Sequence, residues 1–345
     1  MEKILISPLS LVPGMKVAET ILNNYGSVII SEGTILDEHL IKKLQNHNLY
    51  KVKVFEQGES SPAHHISESF KVHYEEDVNT VKDVLSDLSQ DKNIDINKVD
   101  RVVKSVVVRI DEKRDIVRCI NQIKNVDEYT YTHSVNVSLL SMLIGKWLNL
   151  DNNKVQLLVQ AALLHDIGKT KVPQEILNKP GKLTHEEYEE MKKHTILGYR
   201  ILEKVPNISR DVSIAVLMHH EREDGSGYPT GVKGNHIHEL AKIIAVADIY
   251  DAMTSDRVYR DKESPFEVFA LMEEKTIGEL DVKAVNAFLN NIAAYYIGDF
   301  VRLNTGQTGE IIYINPRHVS KPIIKIGDNY IDLSVEKDMK IKEIV

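Results

Sequence analysis

The sequence predicts a mainly α chain with a small α/β unit at its N-terminus and a β segment at its C-terminus. Three observations carry that expectation. Between residues 75 and 296, apolar residues recur at helical spacing in one stretch after another. Residues 1–55 instead hold short alternating runs around a turn signal, and from Ile297 short β-type runs are separated by Gly, Pro and Asn. With 345 residues, 42% hydrophobic and 27% charged, the chain has material for two or three compact units, which excludes a wholly disordered protein.

Taken in order, residues 17–30 alternate loosely around Asn24-Tyr25-Gly26, a hairpin-type turn. Residues 37–44 read as a short helix and residues 50–54 as a strand, so residues 1–58 form the N-terminal α/β unit. The run EQGESSPAHHISES at 56–69 has linker composition. Residues 59–125 are then a linker and helical connector, in which Val99, Val103, Val106, Ile110, Val117 and Ile120 keep a 4-3 spacing broken at Lys113. That spacing is read as an amphipathic helix docked on its own chain, with a homodimer through residues 96–124 as the alternative. Residues 126–296 hold helices at 134–148 and 153–164, one after Thr184, and others at 210–220 and 239–253. Thr184 and Glu187 have the spacing of a capping box. Residues 297–345 form the C-terminal β segment, with strands expected at IIYI, PIIKI and YIDLSV.

Charge and cysteine content narrow the function. Lys plus Arg number 43 against 51 Asp plus Glu, a net charge of -8, which argues against a polymeric DNA or RNA partner. The single cysteine, Cys119, excludes an intrachain disulfide and a Cys-based zinc site. The first residues lack a signal-peptide apolar region and no run of about 18 apolar residues occurs, so the expectation is a cytoplasmic chain with no membrane partner. Histidine is abundant, with 14 residues, many of them between His133 and His238.

Six stretches carry those histidines and their acidic and basic neighbours: YTHSVNV (131–137), HDIGK (165–169), KKHTILGYRIL (192–202), HHEREDGSGYP (219–229), AVADIYDAM (245–253) and DRVYR (256–260). A core histidine satisfied by a backbone carbonyl accounts for any one of them. It accounts badly for the set, because each buried imidazole or carboxylate costs desolvation. Five imidazoles and two carboxylates exceed the needs of one tetrahedral zinc and suit two cations with octahedral tendencies. Two neighbouring cations acidify a shared water and hold phosphate oxygens, which is the chemistry of phosphate-ester hydrolysis. Lys169 follows His165 by four residues and Asp166 by three, so all three fit one helical face.

HDIGK followed by HHE and DGSGYP resembles the HD-GYP family, a branch of the HD superfamily of metal-dependent phosphohydrolases. The motifs span residues 126–260. The resemblance implies an HD-type helical bundle and hydrolysis of cyclic di-GMP to linear pGpG and on to GMP, by attack of a hydroxide bridging two divalent metal ions. It implies His133, His165, Asp166, His194, His219, His220 and Asp248 as ligands, with Asp166 bridging and iron or manganese, or else nickel or zinc, as the metal. Lys169 would lie beside the scissile phosphate, where an ammonium offsets developing charge. Gly227, Tyr228 and Pro229 would contact substrate, and Arg257 and Arg260 resemble the family's phosphate-binding pair. The alternatives are an inactive cyclic di-GMP receptor or a hydrolase of another cyclic or linear dinucleotide. Some members hold a third metal through a Glu four residues before the first ligand histidine; Tyr129 stands there, and Glu128 is one residue off, so two metals are expected. Asp224 and Asp251 are read as braces of a turn and of helix packing. The opening LSLVPGMKVAETI resembles segments that precede such units in other bacterial chains, with no role legible in its residues.

Overall fold

The computed structural model describes residues 3–8, 11, 13, 15–22, 28–45, 49, 51–55, 66–122, 129–255, 263–275, 278–336 and 338–345. They divide into two compact units, one of residues 1–67 and 292–345 and the other of residues 68–291. The first is discontinuous in sequence. In its N-terminal part β1 (Lys3–Ile6) pairs antiparallel with β4 (Val52–Phe55), and β2 (Ile21–Leu22) with β3 (Val28–Ile30). The turn at 24–26 lies outside the described residues. Helix α1 (Glu38–Gln45) turns Ile41 and Leu44 onto a core with Val17, Ile30, Leu36, Val52 and Val54.

The C-terminal part of that unit is a five-stranded antiparallel sheet in the order β8-β7-β6-β5-β9. Its strands are β5 (Phe300–Leu303), β6 (Thr308–Asn315), β7 (His318–Ile326), β8 (Asn329–Asp332) and β9 (Ile341–Ile344). Along β6 Gly309 and Ile311 are buried on one face, and a register shift between Ile311 and Tyr313 breaks the alternation so that Tyr313 is exposed and Ile314 buried. Lys51 pairs with Glu310 at 2.6 Å, a contact between the two sequence-distant parts of this unit.

The second unit is helical. The 96–124 stretch is not one helix: α3 (Ile96–Val108) gives way to a 3-10 turn at Arg109–Asp111 before α4 (Lys113–Gln122). Val99, Val103, Val106, Val117 and Ile120 are all buried within the chain, and α3 packs on α2 (Glu68–Ser89) and α6 (Asn152–Leu164). These apolar residues pack on the chain's own helices, as the docked reading expects.

Helix α5 (Tyr129–Trp147) starts before the expected 134 and is buried nearly all round. Val135, Val137, Leu139, Leu140, Met142, Leu143 and Ile144 are completely buried, and Thr132, His133, Ser134, Asn136, Ser138 and Ser141 are buried beside them. It is wrapped on all sides by α2, α6 and α11 (Glu239–Thr254). Ser134 and Ser138 meet this burial by donating to the carbonyls of Thr130 and Val135. The remaining helices are α7 (Gln174–Leu177), α8 (His185–Lys192), α9 (His194–Leu202), α10 (Arg210–Met218), α12 (Pro265–Lys275) and α13 (Val282–Ile292). Among the described residues no helix is long and apolar enough to cross a membrane.

Local chemistry starts these helices where the sequence indicates. Asp95, Asp151 and Ser209 cap α3, α6 and α10 through side-chain oxygens, and Thr184 and Glu187 complete a capping box at α8. His238 caps α11 by accepting from the Leu240 amide, a structural use of that loop histidine.

Candidate metal centre

Four helix ends and two helix interiors bring the imidazoles together. His165 caps the C-terminus of α6 and His219 that of α10, with His220 next in the chain. His194 starts α9 immediately after Lys193 ends α8. His133 and Asp248 project from α5 and α11. Asp166 and Lys169 do not continue a helical face: α6 stops at Leu164 and a 3-10 turn (Ile167–Lys171) follows. Gly168 makes that turn possible, since a Cβ there would stand 1.9 Å from the His194 carbonyl oxygen.

Two groups of donor atoms result. His133, His165 and Asp248 form one, and Asp166, His194, His219 and His220 the other, with the donor atoms of each group within 4.8 Å of one another. Asp166 faces both groups: its Oδ2 is 3.3 Å from His165 Nε2 and 3.6 Å from His133 Nε2, while its Oδ1 is 3.4 Å from His194 Nε2. Lys169 donates to Asp166 Oδ2 at 2.5 Å.

The tautomers are set by the chain itself. His165, His194 and His219 each donate Nδ1–H to the carbonyl three residues back, at Ala162, Met191 and Val216, over 2.7 to 2.8 Å. That leaves Nε2 of each neutral ring as the lone-pair atom. His194 Nε2 and His219 Nε2 face each other at 3.3 Å. Burial pushes His194 down to about 4 and His220 down to about 3, and takes His219 well below the ordinary imidazole range. Lone pairs of neutral rings so opposed repel, and Asp166 Oδ1, buried next to them, has no hydrogen-bond partner among the described residues. A divalent cation between them satisfies all of these atoms at once, so the donor set fits the group.

His133 is held differently. Its Nδ1 donates to Asp251 Oδ2 at 2.7 Å, and Asn136 donates to Asp251 Oδ1 at 2.8 Å. The Tyr74 hydroxyl donates in turn to Asn136 Oδ1 at 2.8 Å. Burial opposes charge on His133, yet hydrogen bonds to Asp248 and Asp251 raise it to about 9. Burial likewise works against ionisation of Asp166 and Asp248, but Lys169 beside the first and His133 beside the second hold both well below the usual carboxylate range. Asp251 is thus a brace, as its sequence position suggests, and Asp224 closes a turn by accepting from the Ser226 amide and hydroxyl.

The Gly227-Tyr228-Pro229 loop folds back over His220. A Cβ at Gly227 would stand 2.4 Å from the Arg222 nitrogen and 2.5 Å from the His220 carbonyl oxygen, so only glycine fits. The Tyr228 amide donates to the His220 carbonyl, and the Tyr228 ring stacks on the His220 ring at 4.7 Å. Burial raises the Tyr228 phenol, which keeps it a neutral donor. Glu221, buried below, accepts from the Thr230 amide and hydroxyl at 2.7 and 2.6 Å and so ties down the far end of the loop. Sequence reading did not single out Tyr74, Asn136 or Glu221. The available signals were the HHE triplet and the i, i+3 spacings of Asn136 from His133 and Asp251 from Asp248. Arg257, Arg260 and Glu128 lie outside the described residues.

A sequence profile of the HD domain matches residues 118–282. The chain is similar to a cyclic di-GMP phosphodiesterase of Pseudomonas aeruginosa, 39% identical over 228 residues that cover 66% of this chain and 54% of the relative. A cyclic di-GMP phosphodiesterase of Thermotoga maritima is 39% identical over 180 residues, covering 52% and 48%. The chain therefore spans about half the length of the curated relatives it matches. Among solved structures, a Bdellovibrio bacteriovorus protein described as HDG"Y"P superposes with a TM-score of 0.53 at 17% identity, over 83% of this chain and 98% of that one, a likeness of fold.

Proposed function

We infer, from the premise that residues 118–282 are an HD domain of the HD-GYP family, that this chain is a metal-dependent phosphodiesterase hydrolysing cyclic di-GMP to linear pGpG and onward to GMP. The observation that carries the reading is Asp166, whose two oxygens turn toward two separate groups of imidazole donors. His133, His165 and Asp248 would hold one divalent cation and His194, His219 and His220 the other, with Asp166 shared. Iron or manganese suits a set of imidazoles and carboxylates in which no thiolate takes part, and nickel and zinc are accepted by the same donors. When bound, such a pair supplies a Lewis acid for the phosphate oxygens and an acidified water.

The chain's own residues do the rest. The carbonyls of Ala162, Met191 and Val216 and the Asp251 carboxylate fix four rings so that Nε2 points inward. The Lys169 ammonium, 28% exposed and anchored on Asp166, stands where it offsets charge on the scissile phosphate and can protonate a leaving oxygen. Tyr228 offers a neutral hydroxyl and a ring face at the rim. Arg257 and Arg260 are proposed as phosphate contacts on the family pattern alone.

The test uses full-length protein purified anaerobically and supplied with Fe(II) or Mn(II). About two metals per chain are expected, with turnover of cyclic di-GMP that is lost in Asp166→Ala. A metal-replete chain that binds the dinucleotide and leaves it intact would instead be a receptor, and preferential turnover of a mixed cyclic GMP-AMP would reassign the substrate.

A further inference from the structure

Beside the metal centre, α8 carries an aromatic residue that none of the chemistry above uses. Tyr188 is 48% exposed. One turn later on the same helix, Lys192 places its Nζ 5.4 Å from the Tyr188 ring centroid and 5.7 Å from that of Tyr228. The ammonium is steadied from below by Glu189 at 2.6 Å. Since Tyr228 itself lies on His220, an ordered series of imidazole, phenol, ammonium and phenol leads from the donor cluster to the surface.

The outer ring is firmly presented. The capping box fixes the first turn of α8, and Glu187 also binds Lys179 through both carboxylate oxygens at 2.6 and 2.7 Å. A phenol held at a site rim with one half open to solvent is a stacking platform. Purines have a π-face on either side, and stacking on an aromatic side chain is tolerant of which base arrives. A neighbouring cation adds attraction to the electron-rich ring face.

We propose that Tyr188 is a substrate-binding residue whose open ring face stacks on one purine of the dinucleotide while the phosphodiester lies at the metal centre. The assignment rests on the functional reading above and deepens it: α8, in addition to the Gly227-Tyr228-Pro229 loop, recognises the nucleobase. Stacking made equally in the ground and transition states changes KM and leaves kcat alone.

The experiment compares wild-type, Tyr188→Ala and Tyr188→Phe full-length proteins loaded with Mn(II), with bis(p-nitrophenyl) phosphate as a second substrate for the wild type. Tyr188→Ala should raise KM for cyclic di-GMP about tenfold with kcat within about twofold. Tyr188→Phe should restore the wild-type KM, because the ring and not the hydroxyl is at work. An unchanged KM in Tyr188→Ala, or a fall in kcat that Phe does not rescue, overturns the proposal while leaving the phosphodiesterase reading intact. Wild-type protein that cleaves the simple diester but not the dinucleotide defeats both.

Discussion

Asp251 receives hydrogen bonds on both oxygens, from His133 on Oδ2 and from Asn136 and Ser255 on Oδ1, and it does so fully buried. An amide in its place has one oxygen and an NH2, so at least one of these donors would face another donor. Asp251→Asn should therefore weaken metal binding about 10- to 100-fold without unfolding the chain, read by metal titration alongside circular dichroism. The seven proposed ligands came from the resemblance of HDIGK, HHE and DGSGYP to the HD-GYP motifs, and the fold gathers their donor atoms into two groups. The brace was only half legible. Asp251 shares a helix with Asp248, but the line from Tyr74 through Asn136 to Asp251 crosses three helices, and no sequence spacing encodes which side chains meet between them. The histidines also reconcile two accounts of themselves. Each of His165, His194 and His219 is a core residue satisfied by a backbone carbonyl through one nitrogen, and a candidate ligand through the other.

Helices here deliver donors mostly from their ends, and the 3-10 turn after α6 shows what that requires. It lies so close to the start of α9 that Gly168→Ala would force a methyl against the His194 carbonyl and the Gly198 nitrogen. We expect a loss toward the upper end of about 1–3 kcal/mol, seen as a lower thermal midpoint in calorimetry. A reduced metal content should accompany it, because the displaced carbonyl belongs to a donor residue. Element starts were readable where side chains cap them, at Thr184 for example. The break at Arg109–Asp111 was signalled only indirectly, by the misplaced Lys113. Strands β5 and β9, four residues each, escaped notice since a run that short carries too few alternations to stand out from a loop.

Across the whole molecule, the second unit concentrates buried imidazoles and carboxylates; Lys169 and His133 offset part of the carboxylates' desolvation, and the proposed cations would offset the rest. Ligand binding to the folded state alone raises stability by about 2.7 kcal/mol at one hundred times the dissociation constant. The thermal midpoint should accordingly climb with added Mn(II) and fall in a chelator, whereas Asp166→Ala should be nearly insensitive to both; a midpoint indifferent to metal in the parent chain would contradict the donor assignment. Domain grouping was the least legible feature. Reading along the chain separates residues 1–58 from 297–345, yet the fold collects both ends into one unit, and the Lys51–Glu310 pair spans a sequence distance that no local pattern reveals. That grouping has a consequence for how the protein comes into being. Residues 1–67 are synthesised before 68–291 and residues 292–345 after them, so the discontinuous unit is complete only once the whole helical unit has been made.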